Sequence, residues 1–284
     1  MNLVDTHCHL DQPVFDRDRD EVLTRAAAAG VGTLVIPAIG PDRWDGLLAL
    51  AAAPRRAGTP HLVVGLGVHP QLLPELDPAG DREILDRLDR LLASGVARAV
   101  GECGLDGPAA ELSAWGSLER QSRLLEGQLE LARAHRLPVL LHVFRAQEAA
   151  VRILERIGPL PAGGVLHSYS GSRELVRRWR KLALHFSFTG PVTYPGSTRV
   201  HAAAREVPED RLLVESDAPD QAPRQHRGER NEPARLPLVV EALAAVRGTT
   251  PERIAAITGA NALRLFGAGE PETEARTEPA GAPA

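Results

Sequence analysis

The stretch VDTHCHLDQ, residues 4–12, sets His7 and His9 two positions apart. Two imidazoles at that spacing are either packed polar side chains or chemistry, and the rest of the chain decides between them. Four more residues of ligating type stand in short apolar contexts: Glu102 in VGECGLD, His142 in VLLHV, His167 in GVLHSYSG and Asp217 in LLVESDAP. Imidazoles and carboxylates together are a donor set for Zn²⁺, Mn²⁺ or Mg²⁺. Six donors exceed what one tetrahedral site takes. Two ions sharing one carboxylate, about 3.5–4 Å apart as in two-metal hydrolases, use them better. Each piece alone is weak: an isolated His-x-His is more often an ordinary polar pair, and a lone strand-end histidine is more often hydrogen-bonded structure. Joint placement carries the argument.

That placement comes from the elements. Apolar runs predict strands at 3–7, 31–38, 61–70, 97–106, 138–143, 163–171, 182–190 and 211–219. Amphipathic stretches predict helices at 18–30, 41–57, 81–94, 117–136, 146–157, 172–182, 197–206, 234–247 and 251–266. The strands are near-continuous apolar runs, as parallel strands covered on both faces require. Eight strand–helix units predict an α/β fold, a single (β/α)₈ TIM barrel over residues 1–267. The alternative, a doubly wound open sheet, lacks a G-x-G-x-x-G after its first strand. Barrel active sites lie at the carboxyl ends of strands, where these ligating residues fall. Strand side chains alternate, so His7 and His9 face the barrel axis together and Cys8 turns toward the helices. Residues 268–284, rich in Pro, Ala and Glu, read as a disordered tail.

Composition narrows the class. Of 284 residues 43% are hydrophobic but only 4% aromatic, so Leu, Val, Ile and Ala must fill the core. A net charge of −4 gives no general pull toward nucleic acid or anionic membrane. Cys8 and Cys103 form no disulfide framework, which suits a reducing compartment. With no apolar leader segment and no run of membrane-spanning length, the chain reads as a soluble cytoplasmic protein.

An ordered set of motifs runs through the chain: DTHCHLD (5–11), GVHP (67–70), GECGLD (101–106), LPVLLH (137–142), HSYSG (167–171), LLVESDAPD (212–220), RGERNEP (227–233) and NALRLFG (261–267). Over residues 3–267 the sequence resembles the TatD family of metal-dependent deoxyribonucleases, among the amidohydrolase-type barrels, and within it the YjjV-like branch of metal hydrolases. The resemblance implies a barrel, dependence on divalent metal and hydrolysis of nucleic-acid phosphodiesters. It implies that His7, His9, Glu102 and Asp217 hold one ion, that Glu102, His142 and His167 hold the other, and that Glu102 bridges. Three places depart from the family's usual pattern: Gln71 where a second histidine follows HP, Gly107–Pro108 where a tyrosine follows GLD, and Ser168–Tyr169 within HSYSG. None removes a ligand, and all three alter the rim.

Bland readings stand beside the sharp ones. His69 either touches substrate or serves a turn. Asp5 and Glu215 share faces with ligands and are expected to support them from behind. Asp106 caps the loop after strand four. His135 suits a helix C-terminus, and His61, His185 and His201 read as ordinary strand or surface residues. The loop PRQHRGERNEP brings Arg224, Arg227 and Arg230 to the rim, where guanidinium groups grip phosphate; the alternative is a solvated loop with Arg paired to Glu229 or Glu232.

The expected activity is hydrolysis by water activated on two divalent ions, with Asp217 taking the proton and Glu102 bridging. The expected substrate is DNA, a single strand or strand end, with no membrane and no obligate protein partner. A rival is an amidohydrolase cleaving a C–N or ester bond of a small molecule, since barrel and ligands serve many substrates. A non-catalytic binding protein would have no need of every ligand.

Overall fold

The computed structural model describes residues 2–54 and 57–267. The proposed tail at 268–284 lies outside the described residues. In chain order the elements are β1 (Leu3–Asp5), α1 (Arg19–Ala28), β2 (Val31–Ala38), α2 (Trp44–Ala52), β3 (His61–Leu66), α3 (Asp81–Ala93), β4 (Ala99–Asp106), the single turn α4 (Gly107–Ala110), α5 (Leu118–His135), β5 (Val139–Phe144), α6 (Gln147–Ile157), β6 (Gly164–Leu166), α7 (Arg173–Arg180), β7 (Leu184–Phe188), α8 (Thr198–Glu206), β8 (Leu212–Val214), α9 (Leu236–Arg247) and α10 (Pro251–Phe266). The eight strands lie in sequence order in one sheet, every described pairing parallel. Between β8 and β1, Thr6 N donates to Val214 O at 3.2 Å and Asp217 N to His7 O at 2.9 Å, which draws the barrel closed. This is the expected TIM-type barrel.

Alternation along each strand builds two cores. Val4, Val35, Val63, Ala99, Leu140, Val165 and Leu213 fill the barrel interior, joined by Ala262 and Phe266 of α10. Their neighbours Leu34, Ile36, Val139 and Leu141 face outward into the layer packed by Trp44, Leu124 and Trp179. Full burial of such a side chain is worth about 1.5–3 kcal/mol. Helix ends follow local chemistry: Thr250 caps α10 by accepting from Arg253 N, Pro251 opens it, and Gly267 leaves it at φ 63°. Among the described residues no helix is long and apolar enough to cross a membrane.

One expectation needs correction. β1, β6 and β8 stop before His7, His167 and Asp217, so those residues lie past the ladder and not on strand ends. Only Glu102 and His142 sit on strands. The apolar runs continue further because the rim segments are buried too; single backbone bonds carry them on, such as His167 N to Leu141 O at 3.0 Å and Cys8 N to Val35 O at 3.0 Å. Asp5 does not share the face of the histidines. Val4 points inward, so Asp5 turns away and binds backbone instead.

Candidate metal centre

Glu102, 1% exposed, stands at the middle of a ring of imidazoles. Its Oε2 lies 3.1 Å from His7 Nε2 and 3.4 Å from His9 Nε2. Its Oε1 lies 3.2 Å from His69 Nε2, 3.2 Å from His142 Nδ1 and 3.6 Å from His167 Nε2. Asp217 Oδ1 is 3.8–3.9 Å from the Nε2 atoms of His7, His9 and His167. Glycines make the approach possible. A Cβ on Gly67 would fall 2.5 Å from Gly101 Cα, and one on Gly104 would fall 1.8 Å from His142 O, at a φ of 153°. Asp217 itself takes φ 56°, a left-handed conformation that Asp tolerates better than most residues.

Hydrogen-bond partners select which nitrogen of each ring is free. His9 Nδ1 faces Pro37 O at 3.2 Å, His167 Nδ1 faces Glu215 Oε1 at 2.9 Å, and His142 Nε2 faces Asp106 Oδ2 at 2.9 Å. Each partner is an acceptor, so the proton sits on that side and the lone pair of the other nitrogen turns toward Glu102. His69 is the reverse. Its Nδ1 accepts from Gln71 N at 3.1 Å, so its Nε2 carries the proton and can only donate. Among the described residues, the polar clusters that could hold an ion are His7–His9–Asp217, His7–His167–Glu215 and His69–Glu102–His142. Tautomer logic favours His9, His142 and His167 as ligating nitrogens, His7 joins them by position, its Nε2 3.1 Å from Glu102 Oε2, and His69 is left a hydrogen-bond donor.

The charge pattern fits a bound cation. Burial pushes the Glu102 carboxyl up, yet the charges of His69, His7 and His167 and the His142 contact outweigh it and hold it well below the usual range. Burial, with the His167 charge, pushes His7 down. Burial also lowers His69. For His167, burial is outweighed by Glu215, Asp217 and Glu102, which raise it to about 10. Without an ion, carboxylate charge therefore draws a proton onto a nitrogen that an ion would otherwise take. Among the described residues no Lys or Arg pairs with Glu102, Asp217 or Glu215. Glu102 Oε1 and His7 Nδ1 are buried without an aligned hydrogen bond there. Buried carboxylate oxygens and imidazoles converging without a Lys or Arg to compensate them are the donor set of a divalent metal.

Supporting residues came partly from outside the sequence reading. Glu215 accepts Ser168 N at 2.6 Å as well as facing His167. Asp5 Oδ1 accepts Ser216 N at 2.8 Å and His7 N at 3.3 Å, and its Oδ2 accepts the Ser216 hydroxyl at 2.6 Å. It anchors the backbone joining β1 to the segment after β8, and burial raises its pKa to about 7 against those bonds. Asp106 caps α4 through Ala109 N at 2.8 Å, and it also orients His142 and receives Gln71 Nε2 at 2.8 Å. Gln221 Nε2 donates to Asp217 Oδ2 and bonds the Ser168 hydroxyl. Asp5, Glu215 and Asp106 were flagged by sequence, Gln71 and Ser168 only as departures at the rim; nothing local marked Gln221.

The arginines divide. Arg230 is not free to hold phosphate: it grips Asp18 with two bonds of 2.8 and 2.6 Å and lies 4.7 Å over the Phe15 ring. Glu229 and Glu232, the partners expected for this loop, pair instead with Arg235 and Arg25. Arg224 and Arg227 make no ion pair among the described residues, and Arg227 lines a cavity of about 660 Å³ beside Asp220 and Gln221. Cys8 and Cys103 are buried and free.

Known proteins resemble this chain along nearly all its length. The sequence pattern of the family described as TatD related DNase matches residues 4–267. An uncharacterized metal-dependent hydrolase, YabD of Bacillus subtilis, is 34% identical over 266 residues, covering 93% of this chain and 98% of its own. The 3'-5' ssDNA/RNA exonuclease TatD of Salmonella typhimurium is 33% identical over 273 residues, covering 93% and 98%. The crystal structure of YjjV, a TatD homolog from Escherichia coli, superposes with a TM-score of 0.85 at 33% identity, over 94% of this chain and 98% of that one. Barrel, motif order and end-to-end similarity agree: the chain belongs to the TatD-related DNase family of metal-dependent hydrolases.

Proposed function

We propose that the protein is a nucleic-acid phosphodiesterase working with two divalent ions, Mg²⁺, Mn²⁺ or Zn²⁺, which Glu102 would help to hold at both sites. One observation carries this reading: the two oxygens of Glu102 face different sets of ring nitrogens, those of His7 and His9 on one side and those of His142 and His167 on the other. His7, His9 and Asp217 would complete the first site, His142 and His167 the second. Divalent ions held there supply a water of lowered pKa and a Lewis acid for a phosphoryl oxygen. Asp217 would take up a proton during hydrolysis, while Gln221 holds its Oδ2 and so fixes the carboxylate's direction. His69, with its proton on Nε2 and 3.2 Å from Glu102 Oε1, would donate to that carboxylate and help hold it in place. Arg227, and Arg224 beyond it, meet phosphates further along the strand. Nucleic acid as substrate is supported by the Salmonella relative named as a ssDNA/RNA exonuclease.

The test strips the protein of metal, restores each ion singly and assays labelled single-stranded DNA beside a panel of amides and lactones. Ion-dependent cleavage of DNA is expected. Hydrolysis of an amide or lactone with DNA left intact would overturn the proposal in favour of an amidohydrolase.

A further inference from the structure

A second cavity, about 320 Å³, opens between the ends of β5, β6 and β7, directly beside His142 and His167. Its size is at the low end of the range of pockets that hold a small organic ligand, about 300–1,000 Å³. That is room for one nucleoside-sized group. Aromatic rings shape it. Phe188 and Tyr169 form buried wall, the Tyr169 ring set edge-on to Phe188 at 6.4 Å. Phe144 forms the lip and is 41% exposed, although it is the last residue of a core strand. What singles it out is its place on the cavity lining beside His142 and His167. The Arg145 guanidinium lies 5.3 Å over its ring, which adds a cation where a phosphate would follow a stacked base. Polar groups at the cavity are largely engaged: Thr189 Oγ1 donates to Ser216 O at 2.8 Å, and the Ser168 hydroxyl bonds Gln221. Such a pocket offers a π-face and shape, and little edge-specific hydrogen bonding.

We infer that this cavity is a nucleobase subsite, in which Phe144 stacks one base of a single-stranded nucleic acid and Arg145 receives the neighbouring phosphate. The inference rests on the phosphodiesterase reading and adds to it. Gln221 and Pro191 line both this cavity and the larger one beside Arg227, so the two form adjoining stations on one rim. Stacking suits a base of any identity, because every base has a π-face. It also selects unpaired substrate, since a base within a duplex is already stacked on both sides.

Calorimetric binding of dAMP and of 2-deoxyribose 5-phosphate to the Mg²⁺-loaded protein tests this directly. The two share sugar and phosphate and differ in the base. dAMP is expected to bind at least about tenfold more tightly, the scale of one base–aromatic stack. Phe144→Ala should erase that difference and Phe144→Trp should restore it, and circular dichroism checks that both variants are folded. Equal affinities, no measurable binding of either compound, or a preference that survives Phe144→Ala would overturn the subsite. Oligonucleotide cleavage is measured alongside. Loss of all cleavage with the dAMP preference intact would sink the phosphodiesterase reading and leave a nucleotide subsite standing.

Discussion

Asp217 is the residue on which the mechanism turns. It leaves the barrel at a left-handed φ of 56°, is clamped by Gln221, and faces three ring nitrogens. Asp217→Asn keeps the shape and removes the basicity. Turnover at saturating metal is expected to fall roughly 10²-fold or more, the scale of losing a general base. Folding should survive, as circular dichroism would show, because the change touches the rim and no apolar core. A folded, metal-loaded variant with normal turnover would send the proton elsewhere. His167 makes a second prediction. Its pKa of about 10 leaves it protonated at pH 7 in the metal-free protein. An ion needs the Nε2 lone pair, so binding must expel a proton and strengthen as pH rises. Calorimetry of metal binding in two buffers of different ionisation enthalpy should give different heats. Identical heats would mean that His167 is already neutral.

At the scale of elements, the loop after β8 separates two arginines that look alike in sequence. Arg230 ties this loop to Asp18, just before α1, and to Phe15. Arg230→Ala should cost on the order of 1 kcal/mol, seen as a fall of a few degrees in Tm, with little change in the salt dependence of nucleic-acid binding. Arg227→Ala should do the opposite: Tm holds, while affinity for single-stranded DNA drops and the slope of log K against log salt shrinks by about 0.7. An unchanged slope would remove Arg227 from the phosphate path. On β7, His185 is held neutral. Burial and the Arg211 charge lower its pKa to about 4 from 6.5, against its weak contact with Gly164 O. Between those values the unfolded chain binds a proton that the folded one refuses. The stability it contributes is therefore complete above pH 6.5 and lost as pH falls toward 4, by on the order of 3 kcal/mol. His185→Gln should flatten that part of the urea-denaturation profile relative to wild type; parallel profiles would contradict the assignment.

Across the whole molecule, the candidate site joins the first strand's end to the last. Its side chains come from beyond β1, from β4 and β5, and from beyond β6 and β8. An ion held by them binds the native barrel and not the unfolded chain, so it must raise stability by mass action, about 4 kcal/mol at a thousandfold excess over Kd. Thermal unfolding with and without Mn²⁺ should show a rise of several degrees, reversed by chelator. Glu102→Gln should remove most of it. An equal rise in that variant would place the ion elsewhere.

The division between sequence and tertiary structure falls along the range of the physics involved. Periods of two and of 3.6 residues are local, so the strand at 31–38 and the helix at 251–266 were legible to the residue, and repeating units implied the barrel. Residue chemistry marked His7, His9, Glu102, His142, His167 and Asp217 only as a set: each alone was weak, and their joint placement at the ends of strand-like runs singled them out. Strand ends were not legible, since the rim segments past Asp5, Leu166 and Val214 are as buried as the ladders before them. Nor was the choice of ring nitrogen. For His9, His142 and His167 it depends on Pro37, Asp106 and Glu215, partners brought alongside only by the folded barrel; for His69 it depends on the local turn that presents Gln71 N. Arg230 is the plainest case. Its type promised a phosphate, but its partner Asp18 lies 212 positions away, and only packing of α1 against the loop after β8 decides that the charge is already spoken for.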